Sequence, residues 1–190
     1  ASPTAICFGN SSTLSATGGA TYTWNPGGAN TASLVVSPTV TTNYTVTGSN
    51  GVCSNVFTLN VIVNPLPTLT VSATPTAICI GNSAVLNAAG ATSYSWNPGA
   101  LSGAAVSVTP AVNTTYTVFA TSAFGCNSST TIAVVVNPLP SLTVSASPAA
   151  ICSGNSATLT GLAANGTPFT STWTPIAVNG SSAVVAPITT

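Results

Sequence analysis

One pattern occurs three times in this chain, and it constrains the fold more than any single motif. Pro3-Thr4-Ala5-Ile6-Cys7-Phe8-Gly9-Asn10 returns as Pro75-Thr76-Ala77-Ile78-Cys79-Ile80-Gly81-Asn82 and again as Pro148-Ala149-Ala150-Ile151-Cys152-Ser153-Gly154-Asn155, a period of about 73 residues. Trp24-Asn25-Pro26-Gly27 recurs as Trp96-Asn97-Pro98-Gly99 and, weakened, as Trp173-Thr174-Pro175. Thr42-Asn43-Tyr44-Thr45-Val46 matches Thr114-Thr115-Tyr116-Thr117-Val118, with Cys53 and Cys126 following. Self-similarity at a fixed period marks an array of like modules. The period divides the chain at 1–64, 65–137 and 138–190.

Within a period the apolar residues alternate as they do on half-buried strands. Phe57, Leu59, Val61 and Val63 form one such set, and Thr130, Ile132, Val134 and Val136 its counterpart. Further strands are expected around Thr13 to Ala16, Tyr22 to Trp24, Leu34 to Val36 and from Tyr44 onward, with Gly, Asn and Pro between them. The common helix formers Glu, Lys, Arg and Met are missing altogether, which also favours strands and turns. The expected fold is all-β, each repeat a two-sheet sandwich of about seven short strands. Asn64-Pro65-Leu66-Pro67 and Asn137-Pro138-Leu139-Pro140 close the first two repeats. Their proline pairs (Pro65 and Pro67, Pro138 and Pro140) remove backbone donors and stiffen the chain, so they read as joints in a linear rod.

The repeats at the two ends differ from the middle one. The first lacks a counterpart of Leu69-Thr70-Val71-Ser72, so its first strand is expected to be missing. In the third, Pro187 aligns with Pro110 and Thr190 with Asn113, which leaves the last two strands unaccounted for. Such ends suit either a window on a longer array or a subunit completed by strands from its neighbours.

The chain has no Asp, Glu, Lys, Arg or His. General acid–base catalysis, hard-metal ligation and phosphate or nucleic-acid binding all depend on those side chains. Ser, Thr, Tyr and Cys would need a base to become nucleophiles, and the chain supplies none. The composition therefore argues against an enzyme, a cofactor and a nucleic-acid partner. Apolar runs such as Leu59 to Val63 are strand-sized, well short of the roughly 20 residues of a membrane helix, so no membrane insertion is expected. No basic region followed by an apolar core stands at Ala1-Ser2-Pro3-Thr4, and any signal peptide is expected to lie outside this chain.

The ordered series of Ile-Cys-x-Gly-Asn, Tyr-x-Trp-Asn-Pro-Gly, Tyr-Thr-Val, Gly-Cys and Asn-Pro-Leu-Pro resembles the immunoglobulin-like, PKD-like repeats of giant surface proteins in Bacteroidota-type bacteria, over the whole chain. The resemblance implies tandem immunoglobulin-like sandwiches forming the stalk of a secreted adhesin or gliding-associated protein. Where typical PKD domains carry an acidic Trp-Asp-Phe-Gly-Asp-Gly motif this chain has Trp24-Asn25-Pro26-Gly27, so no calcium site is implied. The charged sorting domain of the type IX export route has no counterpart here.

Trp24, Trp96 and Trp173 fit the tryptophan that packs between the sheets of a sandwich, with stacking on a sugar ring as the alternative. Tyr44 and Tyr116 read as corner tyrosines that tie a loop to the backbone. Alternating Thr21, Thr23, Thr45 and Thr47 offer an ice- or glycan-binding face. The cysteines imply an oxidising, extracellular or cell-surface location. Spacing pairs Cys7 with Cys53 and Cys79 with Cys126, leaving Cys152 unpaired or bonded between chains. Simple sandwich topology instead sets such turns at opposite poles, too far apart for a disulfide. A staple between modules, such as Cys7–Cys126, is the alternative. The function expected is a non-enzymatic structural shaft or adhesin stalk, whose partners are further copies or adjoining repeats with glycan as a possible ligand. A surface module binding glycan or ice is the rival reading.

Overall fold

The computed structural model describes residues 1–163, 171–174 and 178–186. Pro175 of the third tryptophan motif, and Pro187 and Thr190 at the end of the third repeat, lie outside the described residues. Every regular element among the described residues is a strand. The chain divides into two compact units, residues 1–136 and 137–190.

The first unit contains two sandwiches, each with a hydrophobic core of its own. In the first repeat the strands are β1 (Ala5–Cys7), β2 (Ser12–Ser15), β3 (Thr21–Asn25), β4 (Ser33–Val36), β5 (Thr42–Ser49) and β6 (Ser54–Asn64). One sheet has the order β1-β6-β5-β3 and the other pairs β2 with β4. Strands β3, β5 and β6 run antiparallel to their neighbours, whereas the short β1 lies parallel to the end of β6, with Cys7 opposite Asn64. Alternating residues from both sheets fill the space between them: Leu14 and Val36 from one, Ile6, Trp24, Tyr44, Val46 and Val61 from the other.

The second repeat is β7 (Thr70–Thr74), β8 (Ala77–Cys79), β9 (Ala84–Ala89), β10 (Ser93–Asn97), β11 (Leu101–Ser102), β12 (Ala105–Val108), β13 (Thr114–Thr121) and β14 (Asn127–Asn137). Its sheets have the orders β7-β9-β12 and β8-β14-β13-β10-β11. The first strand of the repeat is thus split, β7 serving one sheet and β8 the other, around Pro75. This is the strand order of an immunoglobulin-type sandwich, with the first strand shared between both sheets. In the first repeat only the second half of that strand, β1, is a strand; ahead of it Ser2 makes a single antiparallel bridge to Thr13.

The second unit holds β15 (Leu142–Ser147), β16 (Ala157–Ala163), β17 (Thr172–Trp173), β18 (Val178–Asn179) and β19 (Ser182–Val185). They form an antiparallel sheet β15-β16-β19 and a pair β17-β18. Ala157 and Ala183 are buried there, while Leu142, Val144, Leu162 and Val184 are exposed.

The expected within-repeat disulfides do not form. Cys7 lies beside Asn64 at one end of β6, while Cys53 immediately precedes Ser54 at the other end. At about 3.3 Å per residue the 11 residues of β6 hold the two thiols roughly 30 Å apart. A disulfide tolerates a Cα separation of about 7 Å at most. Cys79 and Cys126 are separated in the same way along β14. Cys53 and Cys79 are free and exposed, and the bond that forms joins Cys7 to Cys126.

Candidate functional site

The Cys7–Cys126 bond links the first repeat to the second, and the site is the junction around it. Cys7 ends β1 and opens a tight turn, in which the Asn10 amide donates to the Cys7 carbonyl at 2.9 Å. Gly9 holds φ at +90°, a conformation that L side chains rarely adopt and that a type II turn requires at its third position. Cys126 closes the turn between β13 and β14. Ser122 shapes that turn: its Oγ accepts from the amides of Phe124 and Cys126 at 3.3 and 3.2 Å, and its own amide donates to the Cys126 carbonyl at 2.8 Å. The Cα atoms of Cys7 and Cys126 stand 5.5 Å apart, within the usual span of a disulfide.

Asn64, the last residue of β6, is also at this junction. Its carbonyl accepts from the Phe8 amide at 2.9 Å and lies 4.0 Å from the sulfur of Cys126, which is fully buried. Residues 65–69 then lead from β6 into β7 without regular structure; Pro65 is exposed and Pro67 half-buried. Thr68 in this connector packs against Gly90, so closely that a Cβ at Gly90 would collide with the Thr68 carbonyl. Pro138 and Pro140, in the corresponding connector after β14, are both exposed.

The aromatic residues divide into two groups. Trp24 and Trp96 are 0% and 1% exposed, so neither offers a face to a ligand. Their indole N–H groups donate to the carbonyls of Thr31 and Gly103 at 2.8 and 3.0 Å, and Trp173, half-buried, donates to Gly180 at 3.0 Å. In each case the acceptor is seven residues on, so the indole ties down the loop that follows its strand. Tyr44 and Tyr116 pack inside the two cores, and burial pushes the Tyr116 phenol up from its ordinary range. The loop-tying role expected of them belongs to Tyr22 and Tyr94. Tyr22 Oη accepts from the Gly19 amide and donates to the Gly19 carbonyl, at 2.8 and 2.9 Å. Tyr94 does the same with Ala91 at 2.7 and 2.8 Å. The signal for this was a Tyr two residues before Trp24 and Trp96, just after a Gly-containing turn; Ser171 stands at that position before Trp173.

Thr21, Thr23, Thr45 and Thr47 do come together on the outer face of the first repeat, with Thr23 opposite Thr47 and Thr45 bonded to Thr58 at 3.1 Å. Asn43 and Asn60 join their amides across the same pair of strands at 2.8 Å. The surface is neutral, hydroxyl- and amide-rich, and without a charged side chain anywhere in the sequence.

No family model matches this chain, and no curated protein matches it. Among solved structures it is similar to the amphioxus IgVJ-C2 molecule, at 12% identity over 69% of this chain and 99% of that one, with a TM-score of 0.33. It is also similar to the N-terminal four Ig domains of Dscam1 isoform 8.4, at 13% identity and a TM-score of 0.28 over 71% of this chain. Isoform 6.9 gives 11% identity and a TM-score of 0.29 over the same share. The chain spans about two-fifths of those Dscam1 structures, 42% and 43% of their length. At these scores the likeness adds nothing to the strand order, and it is the strand order that makes these repeats immunoglobulin-like sandwiches.

Proposed function

We propose that this chain is a non-enzymatic structural element, a segment of an extracellular shaft or adhesin stalk built from tandem sandwiches in a linear array. The observation that carries the reading is the Cys7–Cys126 bond, which runs between repeats and closes a span of 119 residues around the first two. A bond placed there does nothing for chemistry, but it stops a pulling force from unravelling the modules inside the loop. Disulfides persist in oxidising compartments, which supports a location outside the cell. With no acid, base or cation among its side chains, the chain has no means of activating its hydroxyls.

Single chains stretched from their two ends test this. An extended chain spans about 3.3–3.6 Å per residue, so the 119-residue span hides roughly 400 Å of length while the bond is intact. Oxidised chains are expected to extend by about that much less than chains pulled in a strong reductant. Equal extension in both conditions removes the mechanical reading. The rival reading, a glycan- or ice-binding surface, draws on the threonine face alone, since the two buried indoles contribute nothing to it. It requires retention on a polysaccharide or an effect on ice growth, and neither is expected.

A further inference from the structure

The turn between β5 and β6 is built around an Asn-Gly pair. Asn50 Oδ1 accepts from the amides of Val52 and Cys53 at 3.1 and 2.9 Å, and the Asn50 amide donates to the Cys53 carbonyl at 3.1 Å. A side-chain carbonyl bonded to the backbone two residues on is an Asx turn, which folds the side-chain amide back over the Asn50–Gly51 peptide. The Gly51 amide donates to Ser49 Oγ at 3.1 Å, and among the described residues no backbone carbonyl takes it. Gly51 has φ +94°, and a Cβ built on it would meet nothing within 4 Å. Both Asn50 and Gly51 are exposed to solvent.

These groups are the parts of a reaction. The side-chain carbon of an asparagine and the backbone nitrogen of the next residue can close a five-membered ring, and a glycine in second place leaves that nitrogen unshielded by any side chain. The two N–H groups aimed at Asn50 Oδ1 draw electron density from Cγ and stand where negative charge gathers when Cγ is attacked. Asn-Gly also occurs at Asn165-Gly166, outside the described residues, and at Asn179-Gly180. At Asn179 the arrangement differs: Oδ1 accepts from the Thr172 hydroxyl at 2.7 Å, and the Gly180 amide is tied to the Ser171 carbonyl at 3.0 Å. The second repeat has Ser122 in the place of Asn50, and its Oγ accepts from the amides of Phe124 and Cys126, so shaping the turn does not require an amide side chain.

We propose that Asn50 is a self-modification site, converted through a succinimide to aspartate and isoaspartate by the turn that holds it. Hydroxide from solvent removes the Gly51 amide proton, and the nitrogen attacks Asn50 Cγ. The new C–N bond forms as the Cγ–Nδ2 bond breaks, and Nδ2 takes a proton from water and leaves as ammonia. Water then opens the imide at either carbonyl. Opening between Cγ and the Gly51 nitrogen gives aspartate; opening between the Asn50 backbone carbonyl and that nitrogen gives isoaspartate, with the main chain running through Cγ. The sum is hydrolysis of one side-chain amide, with water consumed, ammonia released and no change of oxidation state. Either product puts a carboxylate on a chain that otherwise has no charged side chain. Aspartate keeps both N–H partners in stronger, charge-assisted bonds, whereas isoaspartate adds a carbon to the main chain of the turn ahead of Cys53. The site depends on the turn alone and not on the shaft reading above.

The test is incubation of the folded 190-residue chain in warm, mildly alkaline buffer, beside the same incubation in concentrated guanidinium, with samples digested by pepsin and mapped by mass at Asn50 and Asn179. In the folded chain Asn50 is expected to convert several-fold faster than Asn179, and in denaturant the two are expected to convert at the same rate. Both aspartate and isoaspartate are expected at residue 50, and isoelectric focusing is expected to show the product as a band that comigrates with the Asn50→Asp variant. Equal rates at the two sites in the folded chain overturn the proposal. So does a lead of Asn50 that survives in denaturant, which would belong to the local sequence and not to the turn. Aspartate without isoaspartate at residue 50 also overturns it, because direct hydrolysis would then replace the imide.

Discussion

At the residue scale, Gly18 and Gly90 stand at the same position in successive repeats and face different surroundings. Both have positive φ, +89° and +104°, but only Gly90 has a backbone carbonyl where a Cβ would go. Substituting Ala at Gly18 therefore carries the conformational cost alone, about 1 kcal/mol. Gly90→Ala adds a collision with Thr68 that no rotamer relieves, so a loss of more than about 3 kcal/mol is expected. Denaturant titration of the two variants compares them directly, and equal losses would show that the connector does not press on the second sandwich. Burial of the Tyr116 phenol enters the pH response. Its phenol is raised by burial, so the neutral form is the one the fold favours. That contribution is fully present below the unfolded-state value of about 10 and disappears as pH rises through the higher folded value. With no carboxylate or imidazole in the sequence, the usual route of acid denaturation is missing. Thermal melts are expected to change little from neutral pH down to mildly acidic pH and to fall in strong alkali, and a steep acid transition would contradict this.

At the scale of elements, the sequence showed most strands but not what joins them. Strands β2 to β5 start within a residue or two of where alternation puts them, and β6 three residues before Phe57, because each is half-buried and bounded by Gly, Asn or Pro. The three-residue β1 is too short to show a period, and it reads as a turn until its parallel partner β6 is known. Phe57 continues the apolar alternation of Leu59, Val61 and Val63, yet it lies 68% exposed at the Cys53 pole, beyond the reach of the core that buries Val61. Periodicity reports which face a residue takes, not whether the opposing sheet extends that far. Cysteine spacing failed for a related reason: sequence distance within a repeat says nothing about the length of β6 standing between Cys7 and Cys53. The bond that does form closes a long loop, and loop-entropy arguments give it up to about 5 kcal/mol. Cys126→Ser is expected to lower the unfolding free energy of the first unit by several kcal/mol in equilibrium denaturation, whereas Cys79→Ser changes it by less than about 0.5 kcal/mol. Equal effects would contradict the inter-repeat assignment.

At the scale of the whole molecule, repetition and neutrality work together. Each sandwich of the first unit has its own core, yet the two are held to one another by a covalent bond and a connector packed on Gly90. A surface free of like-charge repulsion associates readily and with little dependence on salt, which suits a chain proposed to be a segment of a tandem array. The account depends most on which cysteines are joined, and the most direct measurement is a disulfide map of the non-reduced chain. The absence of Lys, Arg, Asp and Glu leaves trypsin and the acid-specific proteases nothing to cut, so the digestion calls for pepsin. The account predicts a cross-linked fragment pair containing Cys7 and Cys126, with Cys79 recovered free of both. Fragments joining Cys7 to Cys53, or Cys79 to Cys126, would contradict it.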